Sequence, residues 1–239
     1  MKFSKMLTAV TEILNQDSDT QVDVCLTSQM ASAIELWTAM YENHAPWVDR
    51  KKVKSAQIPA AIASEIARLV TLEMQSEITG GEAAAYLNQE YQRNVLSDLR
   101  RYVEYGCAKG GLILKPYMTK TGLAVQYVQA DSFFPLSFDD SGRILQCVFT
   151  EQFRKGKKMI HITNRAFVAT NDYSLGTEIE VSSVDRWSEL VPELSLAGSD
   201  RLLFGYFRVP MANTEDTDSP LGVSVYSGAD ELIAEADQR

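Results

Sequence analysis

The stretch Leu202–Gly228, LLFGYFRVPMANTEDTDSPLGVSVYSG, sets three physical demands side by side. Leu202, Leu203, Phe204, Tyr206, Phe207 and Val209 form an apolar, aromatic run that reads as a buried strand. Pro210 ends it, having no N–H to give a sheet. Met211–Ser219 is polar and acidic and reads as a solvated loop. Pro220-Leu221-Gly222 is a turn signal leading into an apolar-periodic segment, the expected entry to a C-terminal helix. Strand, loop and helix in so short a span point to a mixed class, and none of these residues forms a catalytic constellation.

Upstream, the hydrophobic period is helical. Phe3, Met6, Leu7, Val10, Ile13 and Leu14 predict an amphipathic first helix. Thr27 or Ser28 can cap a second, with Met30, Ile34, Trp37 and Tyr41 on one face, broken at His44-Ala45-Pro46-Trp47. Pro59 suits the first turn of a third, in which Ile62, Ile66, Leu69, Val70 and Met74 are expected to face inward while Ala60, Ala61, Ala63 and Ala67 let a neighbour approach. Thr79-Gly80-Gly81 separates it from one long helix over about residues 82–105, with Gly106 as its left-handed C-cap.

Beyond Leu112 the period shortens. Residues 112–117 and 123–128 read as a hairpin, Phe133-Phe134-Pro135-Leu136 as a further strand, Asp139-Asp140-Ser141-Gly142 as a turn, and residues 143–150 as the next strand. Ile160, Ile162, Phe167 and Val168 suggest strands around Asn164-Arg165, residues 177–181 another, and residues 184–190 a short helix. The expectation is an α+β fold: N-terminal helices on a mostly antiparallel β-sheet. Residues 1–110 are mainly helical, 111–210 mainly β, and 211–239 an acidic loop and helix. Of Phe133 and Phe134, and of Phe204 and Phe207, at least one of each pair is expected in the core, since neighbouring strand residues face opposite ways.

Several chemistries are disfavoured. A net charge of −9 argues against gripping DNA by neutralising phosphates, and the basic runs Arg50–Lys54 and Arg154–Lys158 are short. Cys25, Cys107 and Cys147 have apolar neighbours and no metal-ligand spacing, and the histidines are His44 and His161 alone. Gly106–Gly111 lacks the Gly-Lys-Ser/Thr ending of a phosphate loop. Gly222–Tyr226 fails the nucleophile-elbow pattern at its last position. Glu215, Asp216 and Asp218 lack the spacing of a calcium loop, and Asp139 and Asp140 read as turn residues that cap their own backbone. No apolar run nears the roughly 18 residues of a membrane-spanning helix, and Met1–Met6 lacks the features of a secretory signal, so the expected place of synthesis is the cytosol.

Four segments in order carry a resemblance: Glu104–Gly111, Ala130–Leu136, Tyr206–Asn213 and Ser219–Tyr226. Together the chain from about Trp37 to Asp237 resembles the portal proteins of tailed bacteriophages of Gram-positive hosts. The resemblance implies the peripheral, wing-like N-terminal portion of a portal subunit across residues 1–239, whose C-terminal helix leads toward a stem region that family members carry beyond this point. It implies a structural subunit, not an enzyme, with no cofactor. Its partners would be a homo-oligomeric ring (a dodecamer in the family), terminase, scaffold or major capsid protein, and head-tail connector proteins. Double-stranded DNA would pass without sequence-specific grip, with no membrane involved. The place would be the host cytoplasm during assembly and then the portal vertex of the virion. Without the family's channel-lining segments, residues 1–239 alone are expected to associate weakly. The alternative is an enzyme or ligand-binding domain with a site assembled from scattered residues; a closed apolar pocket holding His44 or His161 would favour it, and exposed apolar side faces would favour a ring subunit.

Overall fold

The computed structural model describes residues 3–16, 23–48, 55–119, 122–155, 158–169, 172–178, 193–197 and 202–238, with only the backbone course given between 151 and 201. The class is α+β: helices dominate the N-terminal half, the strands pair antiparallel, and a helix closes the C-terminal end. The chain divides into two compact units.

One unit holds Met1–Ala31, Ser132–Leu203 and Asp218–Pro220. Its helix α1 (Phe3–Gln16) buries Phe3, Met6, Val10 and Leu14, the stripe its period predicts. Five strands, β3 (Phe133–Phe138), β4 (Ile144–Lys155), β5 (Lys158–Ala169), β6 (Asp172–Glu178) and β7 (Glu193–Ala197), follow one another as an antiparallel meander. Phe133 and Phe134 are both fully buried although they face opposite ways, so β3 is covered on both faces. The Phe134 ring stacks on Phe3 at 5.3 Å, and Phe133 meets Phe149 at 5.6 Å. A single strand, β5, runs through Asn164-Arg165, and β6 begins five residues before the expected Thr177. The helix expected over 184–190 lies outside the described residues.

The other unit holds Ser32–Asp131, Phe204–Thr217 and Leu221–Arg239. Helix α2 (Ser28–Tyr41) starts at the boundary, where the Thr27 hydroxyl accepts the Met30 N–H at 3.2 Å. It is followed by α3 (Ile58–Leu72), α4 (Ala84–Tyr91), α5 (Leu99–Lys109) and α6 (Asp230–Gln238). Strands β1 (Gly111–Thr119), β2 (Gly122–Gln129) and β8 (Gly205–Arg208) form a three-stranded sheet in the order β2-β1-β8.

Four expectations are corrected here. The long helix over 82–105 is interrupted by a π-helical turn at Gln92–Leu96. There the Tyr127 hydroxyl of β2 donates to Val95 O at 2.6 Å, and Asn94 Nδ2 donates to Glu90 Oε2 at 2.8 Å and to Leu123 O at 3.0 Å. Side chains thus meet the backbone and polar groups of a widened turn. The left-handed cap is Gly110, at φ 94°, while Gly106 sits inside α5 where a Cβ would meet Leu112 at 3.1 Å and Phe207 at 3.3 Å. The apolar run over 202–209 yields only a four-residue strand with β1 as its one neighbour, so Tyr206 and Phe207 are half-buried and neither aromatic of the Phe204/Phe207 pair reaches the core. Leu221–Tyr226 is largely buried but not helical, because its backbone bonds to α5 rather than to itself; the helix begins only at Asp230.

Candidate assembly surface

The segments that carry the sequence resemblance converge on one junction. At the end of α5, Gly110 O accepts from Val209 N at 3.2 Å and Cys107 O accepts from Val225 N at 3.0 Å. Gly110 and Gly222 cross so closely that a Cβ on either would overlap the other's carbonyl oxygen. Tyr206 hydroxyl accepts from Gly222 N at 3.1 Å, and Asn213 Nδ2 donates to Leu221 O at 3.1 Å, joining the aromatic run, the acidic loop and the Pro220-Leu221-Gly222 turn. The buried Lys109 ammonium pairs with Asp131 at 2.6 Å, which adds the start of the Ala130–Leu136 segment. Tyr226 completes the set from a fully buried position, donating its hydroxyl to Trp37 O at 2.9 Å. The glycines, Tyr206, Asn213, Lys109 and Tyr226 are thus spent on backbone approach or on satisfying polar groups.

Among the described residues, the candidate chemical groups do not gather. His44 is exposed at the turn after α2, and His161 falls on β5 opposite Gln152, its side chain outside the described residues. Burial, with Glu104 near it, pushes the Cys107 thiol up to about 11, so it is a protonated, inert thiol at neutral pH. Asp139 caps its own turn: its Oδ1 accepts from Ser141 N at 3.0 Å, Ser141 Oγ at 2.6 Å and Arg143 N at 2.9 Å. These bonds, the Ser141 hydroxyl foremost, hold its carboxyl down at about 2. In the acidic loop, Asn213 Oδ1 accepts from Glu215 N and Asp216 N in a turn of the kind asparagine favours. Among the described residues, no three His, Cys, Asp or Glu side chains come together as a metal site would require. Among the same residues, no helix is long and apolar enough to cross a membrane.

What does stand out is apolar surface. Helix α3 packs on α5 through Pro59, Ala63 and Ala67, all buried, where small side chains let the two axes approach. The inward-facing role expected of its large residues is overturned. Leu69 is 54% exposed, Val70 51%, Leu72 63% and Met74 42%. Ile62 and Ile66 lie in line with Leu69 as half-buried residues, Val70 extends the Ala63/Ala67 stripe past its buried part, and Tyr86 and Leu87 on α4 are exposed as well. The connection between α3 and α4 is itself ordered: Asn88 exchanges hydrogen bonds with both Ile78 N and Ile78 O, and Ser76 meets the Tyr91 hydroxyl at 2.8 Å. Exposed Glu73, Glu77 and Glu82 rim the region with charge. An apolar face rimmed by polar groups has the anatomy of a protein contact surface. Sequence periodicity identified the residues on α3 but not their side; the signal that could have done so is the Ala63/Ala67 pair, whose spacing marks the close-packed face.

No protein-family model matches the chain, and no curated protein matches it.

Proposed function

We propose that this chain is a structural subunit of a phage or prophage portal ring, the channel through which DNA enters and leaves a capsid. The observation that carries the reading is the exposed apolar surface of Leu69, Val70 and Leu72 at the end of α3, with Met74 just beyond it, uncovered among the described residues. A ring closes through heterologous contacts in which each copy offers one side face to the next, and such faces are apolar and exposed on the isolated subunit. The four segments that carry the sequence resemblance support the same reading, since the residues described from them serve a close-packed, glycine-centred junction. The net charge of −9 suits a body that lets DNA pass without binding it tightly.

Negative-stain electron microscopy of the protein expressed from its complete reading frame tests the proposal. Closed rings with a central channel are the expected result. A monomer or closed dimer at micromolar concentration contradicts it.

A further inference from the structure

A second surface of the same unit is polar and aromatic. Tyr41 of α2, Ser97 and Asp98 after the π-helical turn, and Arg100, Arg101, Glu104 and Tyr105 of α5 line an open groove of about 350 Å³. Its aromatic wall, Tyr41 and Tyr105, is one end of a longer row of rings. Tyr41 stands edge-on to Tyr105, Tyr105 edge-on to Tyr102 (both 5.9 Å), and Tyr102 lies flat on Tyr127 at 3.9 Å. The ends are latched: Tyr41 donates to Glu104 Oε1 at 2.7 Å, and Tyr127 donates to Val95 O at 2.6 Å.

The charges in the groove are unequally committed. Glu104 is taken by Tyr41, and Arg101 by Asp98 at 3.1 Å and by the Tyr102 face at 4.8 Å. Arg100 is exposed and, among the described residues, has neither a hydrogen bond nor a carboxylate within ion-pair distance, only the longer-range field of Glu65. A pre-ordered tyrosine wall beside an uncommitted guanidinium is the residue chemistry that dominates protein recognition sites, because rigid rings lose little entropy on binding and arginine holds a carboxylate in a forked pair.

We infer that this groove binds a peptide segment of a partner protein that presents a carboxylate to Arg100 next to an apolar or aromatic side chain laid on Tyr105 and Tyr41. Asp98 and Glu104 at the groove favour a single-charged carboxylate over a phosphate dianion, and the chain's net charge of −9 disfavours a nucleic-acid strand. This inference does not depend on the ring proposal, since it concerns a different surface.

The test is titration of the isotope-labelled full chain with the capped peptide acetyl-Glu-Phe-Glu-Leu-amide, followed by NMR at backbone amides and arginine side chains. Saturable shifts confined to residues around Tyr41 and 97–105 are expected, with affinity in the millimolar range typical of a short unoptimised peptide. Because the pair forms at an exposed side chain, binding should weaken about two- to fivefold for the Gln-Phe-Gln-Leu counterpart and for Arg100→Gln. Arg100 is on the surface, so its variant keeps the parent fold, and an unchanged spectrum elsewhere verifies that. Absence of saturable shifts, equal binding of the glutamine peptide, or tighter binding of inorganic phosphate than of the peptide overturns the inference.

Discussion

Helices α3 and α5 pack against each other yet use their residues in opposite ways. Helix α5 buries Val103, Gly106, Cys107, Ala108 and Lys109 and is hemmed in by β1, β8 and the Leu221–Tyr226 segment. Helix α3 buries only Pro59, Ala63 and Ala67, and its large apolar residues look outward. On α5 the smallest side chains mark where other backbone arrives, and on α3 they mark the side that is packed among the described residues. On α3 small size marks the buried part of one stripe, since Val70 follows Ala63 and Ala67 at helical spacing and is exposed.

The largest expected effect is on the α5 side. Gly222→Ala sets a methyl against the Gly110 carbonyl where backbone, not a flexible side chain, must yield. Urea unfolding should show a loss of about 3 kcal/mol or outright failure to fold. A loss below about 0.5 kcal/mol would mean that the two chain segments part easily and that the junction is not a rigid centre.

Next comes the packed face of α3. Ala67→Leu inserts bulk where α3 meets α5 and should cost about 1–3 kcal/mol in the same assay. Were it neutral, α3 would be loosely docked, and the exposure of Leu69 and Leu72 would say nothing about assembly.

Much of this was legible beforehand. The stripe of α1, the Thr27 cap, the β1–β2 hairpin and the self-capped Asp139 turn follow from local patterns that the structure repeats. The failures share one cause, partners distant in sequence. Nothing within residues 82–105 announces that Tyr127 will widen the turn at Gln92–Leu96. Gly106 reads as a cap until Leu112 and Phe207 are seen against it, and Leu221–Tyr226 reads as a helix entry until its backbone is found bonded to Cys107. The Phe204/Phe207 pair looked like core because strand-length apolar runs usually are, but an edge strand has one neighbour only. The exposed apolar surface of α3 was half-visible: the residues were named from their period, and their direction needed the α3–α5 contact. The tyrosine groove left no sequence signal, since its members come from α2 and, far along the chain, from α5 and the two residues before it.

The most direct measurement compares the parent with Leu69→Ser/Val70→Ser/Leu72→Ser in the protein expressed from its complete reading frame, by electron microscopy and urea unfolding together. Exposed positions contribute little to the fold, so the variant should unfold within about 0.5 kcal/mol of the parent per substituted site while no longer forming rings. Rings of unchanged abundance from the variant would contradict the claim that the uncovered face of α3 is where one copy meets the next.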